Sequence, residues 1–404
     1  MKAIRLAVVW LAIAVGMLPA QEALAQKKYG PGVTDTEIKI GNTTAYSGPN
    51  SQFGVMARVM AAYFAQINDH GGINGRKIKF ISYDDAFNPS KTVEQARKLV
   101  ESDEVLLLFG TLGTPTNTAI VKYMNIKKVP HLFIAAAGAR WNDPKNYPWS
   151  MGTVPSYLWE GRIYGKFLLQ EKPDSKIAVI YQNDDYGRDL LKGLKEALGE
   201  KAGDMVISEN SFEITDPTID TQIVKSKASG ADVFMDFTPP KFAAQAIRKL
   251  SEIGWKPYHI LNSVGSSIGT AIKPAGFENA QGIVSSAYNK DASDPRWADD
   301  PGMKEFFGFI DARLNGVSKD DLQALNGYNF SQMMEQVLRQ CGDDLSRENV
   351  MRQAANLKNF HPSGLLPGIT VNTSPTDYAP MKSLQLVRFE GEKWVPFGPL
   401  RNGE

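Results

Sequence analysis

The chain has one cysteine, Cys341, and four histidines in 404 residues. A lone cysteine excludes an intrachain disulfide framework, so the core must hold the fold without cross-links. His70, His131, His259 and His361 lie far apart with no metal-ligand spacing, which argues against zinc and leaves no cofactor or metal expected. Charge of one sign is also missing: 45 basic side chains face 44 acidic ones, for a formal net charge of +1. That balance, with no basic block, gives no electrostatic footprint for nucleic acid. Long hydrophobic runs are absent after residue 18. The one run present, Leu6 to Leu18, has 13 residues, whereas a bilayer core of about 30 Å needs about 20.

That run follows Lys2 and Arg5 and precedes Ala23-Leu24-Ala25, the small-x-small pattern that signal peptidases accept. Residues 1–25 are therefore expected to be a secretory signal cleaved after Ala25, making the mature chain exported, periplasmic and soluble. Gln26 in place of a cysteine argues against a lipid anchor, and loss of Lys2, Arg5 and Glu22 leaves the mature chain formally neutral. The full sequence is 43% hydrophobic and 22% charged, an ordinary globular composition. Its length suits two or three domains of roughly 150 residues each.

From Glu37 onward short apolar runs alternate with longer amphipathic segments, the pattern of an α/β protein with a parallel sheet. Strands are expected at 38–41, 77–83, 105–109 and 131–135, with helices at 53–68, 90–102 and 116–125. Gly71-Gly72 ends the first helix and Asn74-Gly75 makes a tight turn. After a Pro- and Trp-rich break at 144–159 a second series follows: strands at 176–181, 205–212, 232–237 and 259–261, and helices at 189–198, 220–227 and 243–253. Two such series imply two Rossmann-like lobes; a closed barrel would not need the break between them. Helices at 300–314 and 322–339 come next, and 368–397 reads as strands and loop with a hairpin-like turn at Gly391.

Catalytic signatures are weak. Asp84-Asp85 and Asp184-Asp185 are adjacent pairs better suited to turns and helix caps than to acid/base work. Residues 110–115, Gly-Thr-Leu-Gly-Thr-Pro, lack the Gly-Lys-Ser/Thr of a phosphate loop, and no G-x-S-x-G elbow is present. A binding site remains, and open α/β sheets place ligands beyond the carboxyl ends of strands, against helix N-termini. In the first lobe that means the loops 44–53, 110–117 and 135–141, rich in small and hydroxyl residues.

Tyr46-Ser47-Gly48-Pro49 with Gln52-Phe53-Gly54, Ile67-Asn68, Gly71-Gly72-Ile73-Asn74-Gly75, Tyr83-Asp84-Asp85, Asn88-Pro89 and, later, Asp185-Tyr186-Gly187 and the segment around Gln245 together resemble the leucine/isoleucine/valine-binding proteins. These are periplasmic substrate-binding components of branched-chain amino-acid type ABC transporters, and the likeness covers most of the mature chain. The resemblance implies the type I periplasmic binding fold: two lobes joined by three crossovers, with lobe 1 formed by 36–152 and about 288–365, and lobe 2 by 153–287 and about 366–400. It implies a small-molecule ligand enclosed by hinge closure and a membrane permease as partner; a freely moving cleft makes a monomer the simplest expectation.

Carried over by position, the resemblance makes Phe53 the aromatic after the S-G-P loop, Gly113 and Thr114 the receivers of a carboxylate, Ala137 and Gly138 the small backbone positions of the next loop, and Tyr186 the second-lobe tyrosine. Thr238 falls near another family tyrosine. Where amino-acid binders place a threonine, Ala139 stands, and Val264 stands where they place the acid that pairs with the α-ammonium. An enclosed ammonium without an acceptor costs several kcal/mol. The expected ligand is therefore a small carboxylate, or its amide, that lacks the amine and has an apolar or aromatic body; a branched-chain or other amino acid is the alternative. Tyr157 or Trp159 would stack on that body and Arg140 would add a charged contact, although the tryptophans also suit packing at the crossover. A sensory receptor component and an exported enzyme are the competing classes.

Overall fold

The computed structural model describes residues 27–404; the expected signal peptide and its cleavage site lie outside them. The two α/β series form two separate sheets. The first is five-stranded and parallel, in the spatial order Lys77–Asp84, Glu37–Thr44, Leu107–Phe109, His131–Ile134, Ser150–Gly152. In the second, Val206–Phe212, Ile177–Gln182, Val233–Phe237, Tyr258–Leu261 and Val284–Ala287 are parallel, and Ser383–Glu390 and Lys393–Asn402 add an antiparallel hairpin at the far edge. In both sheets the first strand lies between the second and the third. The strand order reverses beside it, and that reversal opens the crevice in which α/β sheets bind ligands.

Apolar burial separates the lobes. Phe64, Phe109 and Phe133 pack with Phe306, Met333 and Met334 in one core, while Tyr164, Phe167, Leu190, Met235 and Phe237 pack in another. The chain passes between them at 153–156, after Ala287, and after Met381. The last passage comes later than the sequence placed it, because Leu366, Ile369, Val371, Tyr378 and Met381 all bury in the first core.

Most expected elements form within a few residues of their expected ends. The helix expected from 189 begins earlier, as Asp185–Leu198, because the Asp184 side chain caps it by accepting from the Tyr186 and Gly187 N–H groups. The helix Tyr157–Glu171 arises within and beyond the segment read as a break. It packs backbone to backbone on Asp185–Leu198. A Cβ on Gly161 would lie 2.2 Å from the Leu190 carbonyl oxygen, and one on Gly193 would lie 2.0 Å from that of Leu158. The glycines thus bring two helix starts together and set Tyr157 against Tyr186, ring centroids 4.8 Å apart and edge to face.

Candidate ligand-binding cleft

The crevices of the two sheets face each other across a cavity of about 850 Å³, its open mouth included. On the first lobe, Thr114 is the first residue of helix Thr114–Lys127 and is 3% exposed. Its cap, Gly113, has φ 94°, a backbone conformation natural to glycine alone. The helix start lines the cavity through Gly113, Thr114 and Pro115, so the positive end of the helix dipole lies at its wall. A polar cluster beneath holds the loop: Asn117 Nδ2 donates to the Gly113 carbonyl at 2.6 Å and to that of Thr111 at 3.0 Å, while His131 Nε2 lies 2.7 Å from Thr111 Oγ1. Burial pushes the His131 pKa down to about 3, so the cluster is neutral at working pH.

The next loop brings Ala135, Ala136 and Ala137 to the wall, with the Ala137 carbonyl accepting from Tyr157 N at 2.9 Å. Burial holds the Tyr157 phenol above its ordinary pKa, and its side chain lines the wall beside Thr114 and Ala137. Phe53, Met56, Phe87 and Leu112 give this side its apolar surface. Asn50 is 3% exposed, and its Oδ1 has no partner within the protein.

The second-lobe wall is built from side chains bonded to one another. The Tyr186 hydroxyl donates to Asn262 Oδ1 at 2.9 Å, and the Asn262 amide donates to the Asp236 and Thr238 carbonyls at 3.0 and 2.8 Å. Val264 N donates back to Asn262 Oδ1 at 3.0 Å. Burial first, then the neighbouring Tyr157 and acids, hold the Tyr186 phenol far above its ordinary pKa. Asp184 is the carboxylate of the lining. Burial pushes its pKa up to about 6, even though Gln182 Nε2 and the two cap N–H groups bond it.

Of the residues picked from the sequence, the structure brings Phe53, Gly113, Thr114, Ala137, Tyr157, Tyr186 and Val264 together around the cavity. Five others do not line it. Gly138 packs against Trp141, where a Cβ would come within 3.0 Å of the indole nitrogen. Ala139 N–H is used by Asp189 Oδ2 at 2.9 Å, and the Arg140 guanidinium pairs with Asp185 across the rim at 2.5 Å. Both are closed off by contacts between the lobes. Thr238 turns inward to donate to Asp236 Oδ1 at 2.6 Å, and Pro239 takes the wall instead. Trp159 follows Tyr157 by two residues on a helix, about 200° round the axis, and so faces the C-terminal strand near Lys382.

Sequence reasoning passed over Asn50, Phe87, Asp184, Tyr288, Asn326 and Phe330. One signal was available: Leu322, Asn326 and Phe330 recur every four residues on helix Leu322–Cys341, a single face that the structure turns to the cavity.

The profile of the periplasmic binding protein family matches residues 37–393. The chain belongs to that family. The Leu/Ile/Val-binding protein homolog 7 of Brucella suis is 25% identical over 288 residues, which is 69% of this chain and 71% of that protein. A leucine-, isoleucine-, valine-, threonine- and alanine-binding protein of Pseudomonas aeruginosa is 27% identical over 194 residues, 48% of this chain and 51% of that one. Among solved structures, a branched chain amino acid ABC transporter protein from Thermus thermophilus with bound valine superposes with a TM-score of 0.81 at 15% identity, covering 92% of this chain and 97% of that chain. A fatty acid ABC transporter substrate-binding protein from Thermomonospora curvata gives 0.78 at 21% identity, covering 93% and 95%. As a periplasmic binding protein of type I fold, the chain has a solute-binding role.

Proposed function

We propose that this chain is the extracytoplasmic solute-binding component of a branched-chain amino-acid type ABC importer, which closes over a small amine-free carboxylate with an apolar or aromatic body and delivers it to a membrane permease. The observation that supports the reading is the start of helix Thr114–Lys127 at the cavity wall, with Gly113 as its cap and the Thr114 and Tyr157 side chains lining the same wall. A carboxylate seated there meets neutral donors and a favourable dipole end. Around it the wall is mostly apolar, and Val264 stands opposite.

A second reading, a free amino acid, rests on Asp184. Three protein donors already engage its oxygens and burial disfavours its charge, so it serves the helix as a cap more readily than it serves a ligand ammonium. Solved structures of the same fold include one with bound valine and one described as a fatty acid ABC transporter substrate-binding protein.

The test uses purified protein, unfolded and refolded to strip bound ligand, in thermal-shift assays against matched pairs: leucine with 4-methylpentanoate, and phenylalanine with 3-phenylpropanoate. Within each pair only the α-amine differs. The acids are expected to stabilise, by about 2.7 kcal/mol at a hundred times the dissociation constant. Stabilisation by the amino acids alone would keep the transport role and overturn the amine-free ligand. Thr114→Ala should weaken binding of the active acid by roughly 1–3 kcal/mol, the worth of a hydrogen bond to a charged group. An affinity within twofold of the wild type would reject Thr114 as a contact.

A further inference from the structure

We infer that Asn50, with Gln323 on the same wall, is a second polar contact of the cleft, and that the bound carboxylate carries a neutral hydroxyl which Asn50 recognises. This deepens the carboxylate reading of the Thr114 site and rests on it. Asn50 is the exception among the buried asparagines. Eight are buried among the described residues, and the other seven are hydrogen-bonded through both ends of the amide. Asn42, for instance, donates to the Phe109 and Gly110 carbonyls at 2.8 and 2.9 Å and accepts from Ser82 Oγ at 2.8 Å. Asn329 donates to Asn289 Oδ1 at 3.0 Å and accepts from Gly364 N at 2.9 Å. Asn50 is equally buried, at 3% exposed, yet neither its Oδ1 nor its Nδ2 meets a protein partner among the described residues.

Local structure does not explain the exception. Asn50 stands just before the turn Ser51–Phe53, where an asparagine ordinarily caps, but its side chain makes no cap bond and lines the cavity. Helix Gly54–Asp69 follows, and helix Leu322–Cys341 packs on it so closely that a Cβ on Gly327 would lie 2.6 Å from the Met56 carbonyl oxygen. That packing brings Gln323 to the same wall. Gln323 is 4% exposed and accepts from Asn326 Nδ2 at 3.2 Å, while its Nε2 donates to no protein group among the described residues. Water in an empty cleft can serve such amides, but a ligand that displaces it must supply the bonds or leave them unmade. The chemistry of the wall selects the group. No lysine, arginine or histidine lines this cavity, and its one carboxylate is Asp184, so a second anionic group on the ligand would be desolvated without a counter-charge. The ends of an amide are isosteric, and a half-turn exchanges donor for acceptor. A hydroxyl, which both donates and accepts, is the smallest neutral group that can satisfy either end.

The experiment measures dissociation constants on the stripped full-length mature protein for 3-phenylpropanoate against its three ring-hydroxylated forms, and for hexanoate against 6-hydroxyhexanoate. The inference expects at least one hydroxylated acid to bind about three- to tenfold more tightly than its parent, the worth of one neutral hydrogen bond. In Asn50→Leu, which keeps the volume and removes the amide, that ratio should fall to about one. Thr114→Ala, by contrast, should weaken both members of the pair alike and preserve the ratio. The stripped Asn50→Leu protein should also melt at or above the wild-type temperature, since an amide with no partner adds nothing to the fold. If the leucine does not fit, Asn50→Ala makes the same two measurements. No preference for any hydroxylated acid, a ratio that survives loss of the amide, or a markedly lower melting temperature of both stripped variants would overturn the role of Asn50 and leave the carboxylate site standing. Binding by no acid, hydroxylated or not, would overturn both.

Discussion

The two walls of the cleft are made differently. The first-lobe wall offers small residues and backbone donors from a helix start, held from below by Thr111, Asn117 and His131. The second-lobe wall offers side chains whose polar atoms are bonded to one another, as Tyr186 is to Asn262 and Asp184 to its own helix. A wall with open donors can seat an anion before the lobes meet, while a wall with satisfied polar groups adds apolar cover and shape when they close. The first lobe should therefore determine whether a ligand binds, and the second how well it is enclosed.

Gly113→Ala should break the first wall outright. A Cβ there would lie 2.4 Å from the Phe87 ring and would force an alanine to φ 94°, so the expected result is ligand binding weakened more than a hundredfold, with a stability loss of roughly 1–3 kcal/mol. Calorimetric titration with melting curves checks both; near-normal affinity would show that the loop does not set the anion site.

On the opposite wall Tyr186→Phe keeps the ring and removes one hydrogen bond, leaving Asn262 Oδ1 with the Val264 N–H. The variant should lose about 0.5–1.5 kcal/mol of stability and less of affinity, because the hydroxyl serves the wall and not the ligand. A larger loss in affinity than in stability would erase the distinction between the walls.

The smallest effect concerns pH. The folded pKa of Asp184, about 6, lies above its ordinary 3.8, so the folded protein binds that proton more tightly than the unfolded chain. Its contribution therefore favours folding as pH falls from about 6 toward 4, and is lost as pH rises through 6. The same protonation removes a negative charge from the cavity wall. A carboxylate ligand should bind a few-fold more tightly at pH 5.2 than at pH 7, and Asp184→Asn, which preserves the cap, should flatten that difference. Titrations of both proteins at both pH values decide it, and a parallel slope in the variant would assign the effect to other groups.

Much of the first wall was legible in the sequence. Gly113-Thr114-Pro115 after a short apolar strand marks a helix start, and a run of alanines after the next strand marks close backbone approach. The second wall was harder to read. Thr238 and Trp159 were placed by position along the chain, but a buried hydroxyl found Asp236 and a helical turn carried the indole away from Tyr157. Arg140 looked like a ligand contact because its partner, Asp185, is remote in sequence and meets it only across the closed rim.

The sequence alone determined the alternation of strands and helices, the division into two lobes and the helix start that faces the cleft, because these follow from periodicity, caps and glycines acting over a few residues. Only the tertiary structure decided which side chains share the cavity. Asn50, Asp184, Tyr288, Asn326 and Phe330 come from segments far apart in the chain, and their meeting depends on how two cores pack and where the chain passes between them.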